Sequence, residues 1–334
     1  MQSADRNRIA IVLVNYMGAD NTIDCLDSIL RLETPSTDNS ISVLVVENGS
    51  TDDSSEKLTQ WVERGRPVTA AQGELVAEFE GSHGLIQVSL LHANRNGGFA
   101  AGCNLGLARA RTDASVTHFW LLNNDTIVDP AAAKHLLVCS KDHSDHGICG
   151  STLLYHDDPE VVQAAGGARY LRLIGRSRHV FKRRPVSEIR AASAPGFDYI
   201  VGASMFFSRE VLEAVGYLPE RYFLYAEETD WCTRARLLGI SLGWARASYV
   251  FHKEGSSTGA EARFKKVGDT SFYFISRNNL LYVWKYFKHF TPTAILYCLV
   301  EASLYAIKGD RGKLKIACRA IRDFWVQRAR ATSI

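Results

Sequence analysis

The side chains best suited to chemistry fall into three polar clusters. Asn123, Asn124 and Asp125 come directly after the apolar run 118–122. Asp125 brings the charge that Mg2+ or Mn2+ needs, because such ions take one or two carboxylates and otherwise substrate phosphates. Asn123 or Asn124 offers a carbonyl or orients a ribose; the competing reading is a plain turn or cap. Glu227, Glu228 and Asp230 follow the aromatic stretch 222–225. One of two adjacent glutamates behind aromatic residues can lie in a partly apolar pocket, where a carboxylate accepts a proton from a hydroxyl. The competing reading is a set of helix-start acids that complement the dipole, and Asp230 fits that best. His252 closes the run 248–251, ahead of a Gly-Ser stretch. A histidine at a strand end there is a metal ligand or a merely structural residue.

Two other segments carry weaker signals. The glycine-rich stretch 94–106, with Asn96, Gly97 and Asn104, permits close backbone approach to a ligand. It lacks GxGxxG spacing and does not follow the first strand, and no Walker lysine motif is present. The run 142–146 holds two Asp and two His. It has metal-binding residue types, but a solvated loop is the better reading.

These clusters need elements to hold them. Residues 9–14 and 41–46 are continuous runs of mostly β-branched residues, as buried parallel strands require, and 88–92 and 118–122 read as two more strands. Helical spacing appears at 21–31 and 54–63, and helices also fit the stretch ending at Arg111 and residues 130–140. Strand and helix therefore alternate over the first 140 residues, which predicts an α/β fold with a mostly parallel sheet. Ligands of such sheets sit beyond the carboxyl ends of the strands, where residues 15–18, 47–52 and 123–125 fall. The second half is less regular. It holds a basic loop or hairpin at 171–190, helices at 211–215 and 229–238, and a helical, aromatic and basic stretch from Phe272 onward.

Composition narrows the class. Hydrophobic residues make up 46% and charged residues 22% of the 334, as in ordinary globular proteins. A net charge of +3 is too small to argue for nucleic acid, and none is expected as a partner. Seven widely spaced cysteines without a CxxC pair point to a reducing compartment rather than a disulfide framework or a zinc site. The apolar run 9–14 is too short for a signal-peptide core, so a cytoplasmic location is expected.

The ordered set of motifs resembles the inverting GT-A glycosyltransferases of family 2, especially the bacterial rhamnosyltransferase-like branch. The matching pieces are residues 11–16, 45–52, 94–106, 121–126, 202–205, 223–230 and 252–257; no single piece is specific, but their order and spacing are. The resemblance implies a GT-A (nucleotide-diphospho-sugar transferase) fold with a mostly parallel central sheet and a C-terminal helical extension. Residues 1–258 would form the catalytic domain, with 1–140 as the nucleotide-binding half and 141–258 as the acceptor half; 259–334 would be the helical region. Asn15, Tyr16, Glu47 and Asn48 would hold the base and ribose, although the family usually has aspartate where Glu47 stands. Residues 94–104, including Asn96, Gly97 and Asn104, would shape the nucleotide and sugar pocket beside Asn123 and Asn124. Asp125 would bind the metal, with Asn123 in place of the usual first aspartate, and His252 would complete the shell. Glu228 matches the catalytic base, with Glu227 as the fallback, while Asp230 would orient the acceptor or close the helix start.

The donor implied is a nucleotide-diphosphate-sugar, dTDP-L-rhamnose first and UDP-galactofuranose or another UDP-hexose next. The acceptor is a glycan or a lipid-linked glycan. Two other classes compete: a nucleotidyltransferase, which needs a glycine- and lysine-rich loop after the first strand, and a non-catalytic sugar-nucleotide-binding module. Residues 278–330 join apolar and aromatic faces to many Lys and Arg. That pattern suits a helix lying on an anionic membrane, which the resemblance implies is met at its inner face, or one packed on the core or on a second subunit of a homo-oligomer. The apolar part, 293–307, is broken by Glu301 and is shorter than the roughly 20 residues of a spanning helix.

Overall fold

The computed structural model describes residues 7–33, 40–69, 74–142, 147–193, 196–253 and 267–331. β1 (Arg8–Asn15), α1 (Ala19–Ile29), β2 (Ser40–Glu47) and α2 (Ser54–Val62) open the chain. β3 (Arg66–Pro67) and β4 (Leu75–Gly81) make an antiparallel edge on β5 (Gly84–His92). α3 (Phe99–Arg111), β6 (His118–Asn123), β7 (Thr126–Val128) and α4 (Ala132–Asp142) complete the first half. The second half holds β8 (Ile148–Tyr155), β9 (Asp158–Ala165), β10 (Gly167–Leu171), β11 (Arg176–His179), α5 (Val186–Ile189) and β12 (Tyr199–Ile200). It continues through β13 (Ser204–Ser208), α6 (Arg209–Val215), α7 (Glu227–Leu237) and β14 (Leu242–His252). The last helices are α8 (Asp269–Tyr286), α9 (Thr291–Ile307) and α10 (Gly312–Ala331).

The central sheet runs β3-β4-β5-β2-β1-β6-β13-β8-β14-β7, with β9 paired on β8. Its heart, β5-β2-β1-β6, is parallel, as the uninterrupted apolar runs require. Side chains alternate between the two faces. Ile9, Ile11 and Leu13 pack with Leu26, Leu58 and Leu136 of α1, α2 and α4. Ala10, Val12 and Val14 belong with Leu107, Trp231 and Tyr282 of α3, α7 and α8.

Beyond β6 the sheet is mixed rather than mostly parallel. β13 runs antiparallel to both β6 and β8, and β14 is parallel to β8. Two reversals restore direction, so β14 ends at the same edge of the sheet as β1, β2 and β6. β7 then runs antiparallel along β14, with Thr126 opposite His252. This double reversal brings the third polar cluster to the first.

The C-terminal helices join the same core instead of standing apart. Leu280, Tyr282, Val283, Ala294 and Phe324 are buried with residues of β1, α3 and α7. The basic segment 171–190 includes the β10–β11 hairpin, and its Arg176 pairs with Glu301 of α9 and lies over the Tyr297 ring. Glu301 thus faces protein. The apolar stretch is also longer than 293–307: Lys288–Ile307 is long and apolar enough by length and composition to cross a membrane, with 22% of its apolar window buried. The remaining motif residues 254–257 and most of the acid–histidine run, 143–146, lie outside the described residues.

Candidate active site

Asp125 and His252 meet. His252 Nε2 lies 3.1 Å from Asp125 Oδ1, and the Lys253 amide donates to the Asp125 carbonyl at 2.9 Å. Both side chains are mostly buried. On the other side of the ring, Nδ1 is 2.8 Å from Oε1 of Gln163, a fully buried residue of β9. A carboxamide oxygen only accepts, so Nδ1 carries a proton and Nε2 faces the carboxylate. Two acceptors at this distance call for a proton or a cation between them. One nitrogen and one carboxylate oxygen, with the ring oriented from behind, form a donor set that fits Mn2+ or Mg2+. Among the described residues no third His, Cys, Asp or Glu joins them, which leaves the rest of a shell to phosphates and water. Asn123 approaches Nε2 with its Nδ2 at 3.5 Å.

Asn15 and Asn124 sit one layer below. Thr22 Oγ1 donates to Asn15 Oδ1 at 2.8 Å, and Asn124 Nδ2 donates to Thr22 Oγ1 at 2.9 Å. Both asparagines are buried, so they tie the ends of β1 and β6 to α1 and shape the floor. Glu47 is also turned inward. Its Oε1 accepts from the Ser50 amide at 2.9 Å and its Oε2 from the Gly49 amide at 3.2 Å. The extra methylene relative to aspartate lets the carboxylate curl back on its own turn. Asn48 Nδ2 donates to Asn96 Oδ1 and to the Gly98 carbonyl, which locks this turn to the glycine-rich loop. Tyr16, Asn96 and Gly97 stay partly exposed at the rim.

Asn104 leaves the site. Its Nδ2 donates to the Leu218 carbonyl and to Glu220, and its Oδ1 accepts from the Leu218 amide, so it pins α3 to the chain before α7. Asp230 leaves it too. This carboxylate is 0% exposed and receives Arg221, Arg234, Lys285 and the hydroxyls of Tyr222 and Tyr286. Burial pushes it up, but Lys285, Tyr222 and Arg221 outweigh burial and hold it below its usual range. It is a structural hub between α7 and α8.

The two glutamates differ. Glu227 is buried, with the backbone amides of Glu227 and Tyr225 near its carboxyl. Burial and then the neighbouring Glu228 raise its pKa well above the carboxylate range. Glu228 is partly exposed and lies against Gly202, whose added Cβ would stand 3.6 Å from Glu228 Cγ. Gly202 adjoins Ala203, whose carbonyl accepts from the Asn123 amide at 3.0 Å. Glu228 therefore stands beside the Asn123–Asp125 edge. Burial raises its carboxyl to about 7, against the opposing amides of Glu228 and Thr229 at the α7 N-terminus. Tyr199, Cys103 and Cys232 are the other titratable groups near it.

The chain enters α7 through a strained turn. Phe223, Tyr225 and Ala226 have φ of 67°, 67° and 73°, in the left-handed region that costs a non-glycine residue about 1–3 kcal/mol. The Phe223 carbonyl accepts from the Phe99 amide at 2.8 Å. Gly98, at φ 88°, makes room for it, since a Cβ there would fall 2.2 Å from that oxygen. On the other side stands α8. Asn278 Nδ2 donates to the carbonyls of Tyr222, Leu224 and Tyr225 at 2.8, 2.7 and 3.0 Å. Arg277 donates to the Tyr222 carbonyl and to Asn278 Oδ1. Sequence reading missed Gln163, Thr22 and Asn278. The visible signal for the last was a polar Arg-Asn-Asn interruption, 277–279, in an aromatic helix.

Comparison with known proteins bears on the family and the fold. The sequence profile of "Glycosyl transferase family 2" matches residues 10–216. The low-salt glycan biosynthesis hexosyltransferase Agl10 of Haloferax volcanii is 22% identical over 195 residues, 58% of this chain. The chain spans 61% of that curated relative's length. Among solved structures, the mannosyltransferase PcManGT from Pyrobaculum calidifontis, in complex with GDP-Man and Mn2+, gives a TM-score of 0.53 at 14% identity, over 97% of this chain and 87% of that one. S. aureus TarS 1–349 with UDP-GlcNAc gives 0.50 at 14% identity, over 96% and 81%. At such identities the likeness is one of fold: a GT-A-like α/β architecture with a mixed sheet and C-terminal helices.

Proposed function

The chain belongs to glycosyl transferase family 2, and from that premise we propose that it moves a hexose from a nucleoside-diphosphate-hexose to a hydroxyl of a glycan, inverting the anomeric carbon. One observation carries the reading. The Asp125–His252 pair and Glu228, its carboxyl near 7, lie at the edge where the parallel strands end. Asp125 and His252 would hold Mg2+ or Mn2+, which when bound offsets the charge that builds on the departing diphosphate.

Glu228 takes the proton of the acceptor hydroxyl as that oxygen attacks the anomeric carbon. The new C–O bond forms on the face opposite the breaking bond to diphosphate. A diphosphate leaves without a proton from the protein, so one base suffices. Glu227 braces the turn that aims Glu228. Tyr16, Asn96 and Gly97 face the nucleotide, supported from below by Asn15, Glu47, Asn48 and Asn124.

dTDP-L-rhamnose is the first donor to test and UDP-galactofuranose or another UDP-hexose the second. The hexosyltransferase relative supports a hexose, and the GDP-Man complex of PcManGT adds GDP-sugars to the panel. The acceptor we infer is a glycan, free or lipid-linked, met at the cytoplasmic face of a membrane. A nucleotidyltransferase would need a glycine- and lysine-rich loop after β1, where Tyr16, Met17 and Gly18 stand. The test is a thermal-shift panel of dTDP-, UDP- and GDP-sugars with and without Mn2+, followed by nucleoside-diphosphate release. Metal-dependent binding with turnover abolished in Glu228→Gln supports transfer; tight binding with no turnover by the wild type would make the chain a binding module.

A further inference from the structure

The first turn of α7 places Glu228 only as firmly as the backbone that leads into it is held. Glu228 Oε2 is buried and without a hydrogen-bond partner among the described residues, and the backbone ahead of it is strained at three non-glycine positions. Left-handed residues of this kind persist only where their surroundings over-determine them. Those surroundings are one face of α8. Ser271, Phe274 and Asn278 follow each other at helical spacing and all touch the turn. Ser271 Oγ is 3.0 Å from the Tyr225 hydroxyl, the Phe274 ring stacks on Phe223 at 5.0 Å, and the Asn278 amide holds three successive-turn carbonyls. Asn278 is fully buried, and the turn carbonyls take its whole amino group.

We propose that Asn278 is a positioning residue for catalysis: its carboxamide clamps the left-handed turn 223–226 from the C-terminal helical region and so fixes where α7 presents Glu228. This rests on Glu228 being the base. Three carbonyl oxygens pointing inward repel one another unless a donor sits among them; Asn278 Nδ2 is the donor common to all three, and Arg277 adds a second to Tyr222 alone. Without it the turn relaxes toward ordinary extended or helical backbone, and the first turn of α7 swings with it. The α8 helix lies outside the residues matched by the family profile, yet it holds the reactive end of the site.

The test uses full-length Asn278→Asp, which keeps the shape and the acceptor for Arg277 but loses the donor, together with the milder Asn278→Ser and with Glu228→Gln. Amide hydrogen exchange in 222–228 should speed up at least tenfold in N278D, with β1, β2 and α8 unchanged, and by less in N278S. Turnover is read as transfer to water from whichever of UDP-glucose, UDP-galactofuranose, dTDP-rhamnose or GDP-mannose gives the largest Mn2+-dependent thermal shift. In N278D kcat should fall tenfold or more while the donor KM stays within about twofold, and the acid limb of the pH profile should move. A purely structural role would lower the melting temperature and leave that limb in place. Wild-type exchange in 222–228, or an unmoved kcat and acid limb in folded N278D or N278S, overturns the clamp. Wild-type turnover in E228Q overturns the base assignment instead, and the exchange measurement still decides the clamp.

Discussion

His252 Nε2 stands 3.1 Å from Asp125 Oδ1, although the two residues are 127 positions apart in the chain. Gln163 Oε1 lies 2.8 Å from Nδ1 on the far side of the ring and fixes its orientation. On the proposed reading the pair holds the cation. His252→Ala or Asp125→Ala should abolish saturable Mn2+ binding, measured by electron paramagnetic resonance with UDP present. Gln163→Leu keeps both ligands but frees the ring, and should weaken Mn2+ by roughly 10–100-fold. Unchanged affinity in Q163L would show that the ring is oriented by something else.

Glu228 sets the pH dependence. Its carboxyl is raised to about 7, and a base must be ionised to accept a proton. Turnover should therefore climb with pH and level off above about 7. Glu228→Gln should lower kcat by about 10²–10⁴ with donor binding intact. Stability moves the opposite way. A carboxyl whose folded pKa exceeds its unfolded value stabilises the fold below the unfolded pKa and loses that contribution as pH rises through 7. E228Q should melt higher than the wild type at pH 8 and close to it at pH 4, in calorimetry at both values.

How much of this was legible beforehand depends on distance in the chain. Residues 9–14 and 41–46 read as buried parallel strands because continuous β-branched runs fit little else, and Asn15, Glu47 and Asn123 follow as strand ends. The approach of His252 to Asp125 was not readable from periodicity, since it depends on β13 reversing the sheet twice. The contact of Glu47 with its own turn was not readable either, because it depends on one methylene letting the carboxylate reach the amides of Gly49 and Ser50. Asp230 reads from the sequence as a helix-start acid and lies in the first turn of α7, whereas Asn104 shows that a polar side chain in a motif looks alike whether it faces a ligand or a buried carbonyl. Asn278 was hidden by its aromatic neighbours, which drew the eye to surface contact and away from one buried amide.

Asp230 should be a stability residue. It receives Arg221, Arg234 and Lys285 and the hydroxyls of Tyr222 and Tyr286, and hydrogen bonds to a charged group contribute about 1.5–3 kcal/mol. Asp230→Ala should lose at least about that much in urea unfolding. Because these partners lie on α7, α8 and the chain before α7, Mn2+ affinity of the folded fraction should be unchanged; a selective loss of metal binding would return Asp230 to the site.

The outer face of α9 should carry the contact with a membrane. Leu296, Val300, Leu304 and Ile307 recur at helical spacing and are 61%, 48%, 54% and 82% exposed. Glu301, the one acid in the helix, turns inward to Arg176, so the exposed stripe is apolar along its length. Exposed Lys288 lies before the helix, and Lys308 and Arg311 lie after it, which suits an anionic surface. Full burial of each Leu or Val stabilises by about 1.5–3 kcal/mol, so charging three of them should be felt strongly. The wild type should sediment with phosphatidylglycerol vesicles at low salt and partly release at high salt, where the basic contribution is screened. Leu296→Glu combined with Val300→Glu and Leu304→Glu should stay in the supernatant while its melting temperature holds. Equal sedimentation of the triple variant would rule the stripe out as the contact. Absence of wild-type binding, with sedimentation equilibrium giving twice the monomer mass, would assign the same face to a second copy of the chain.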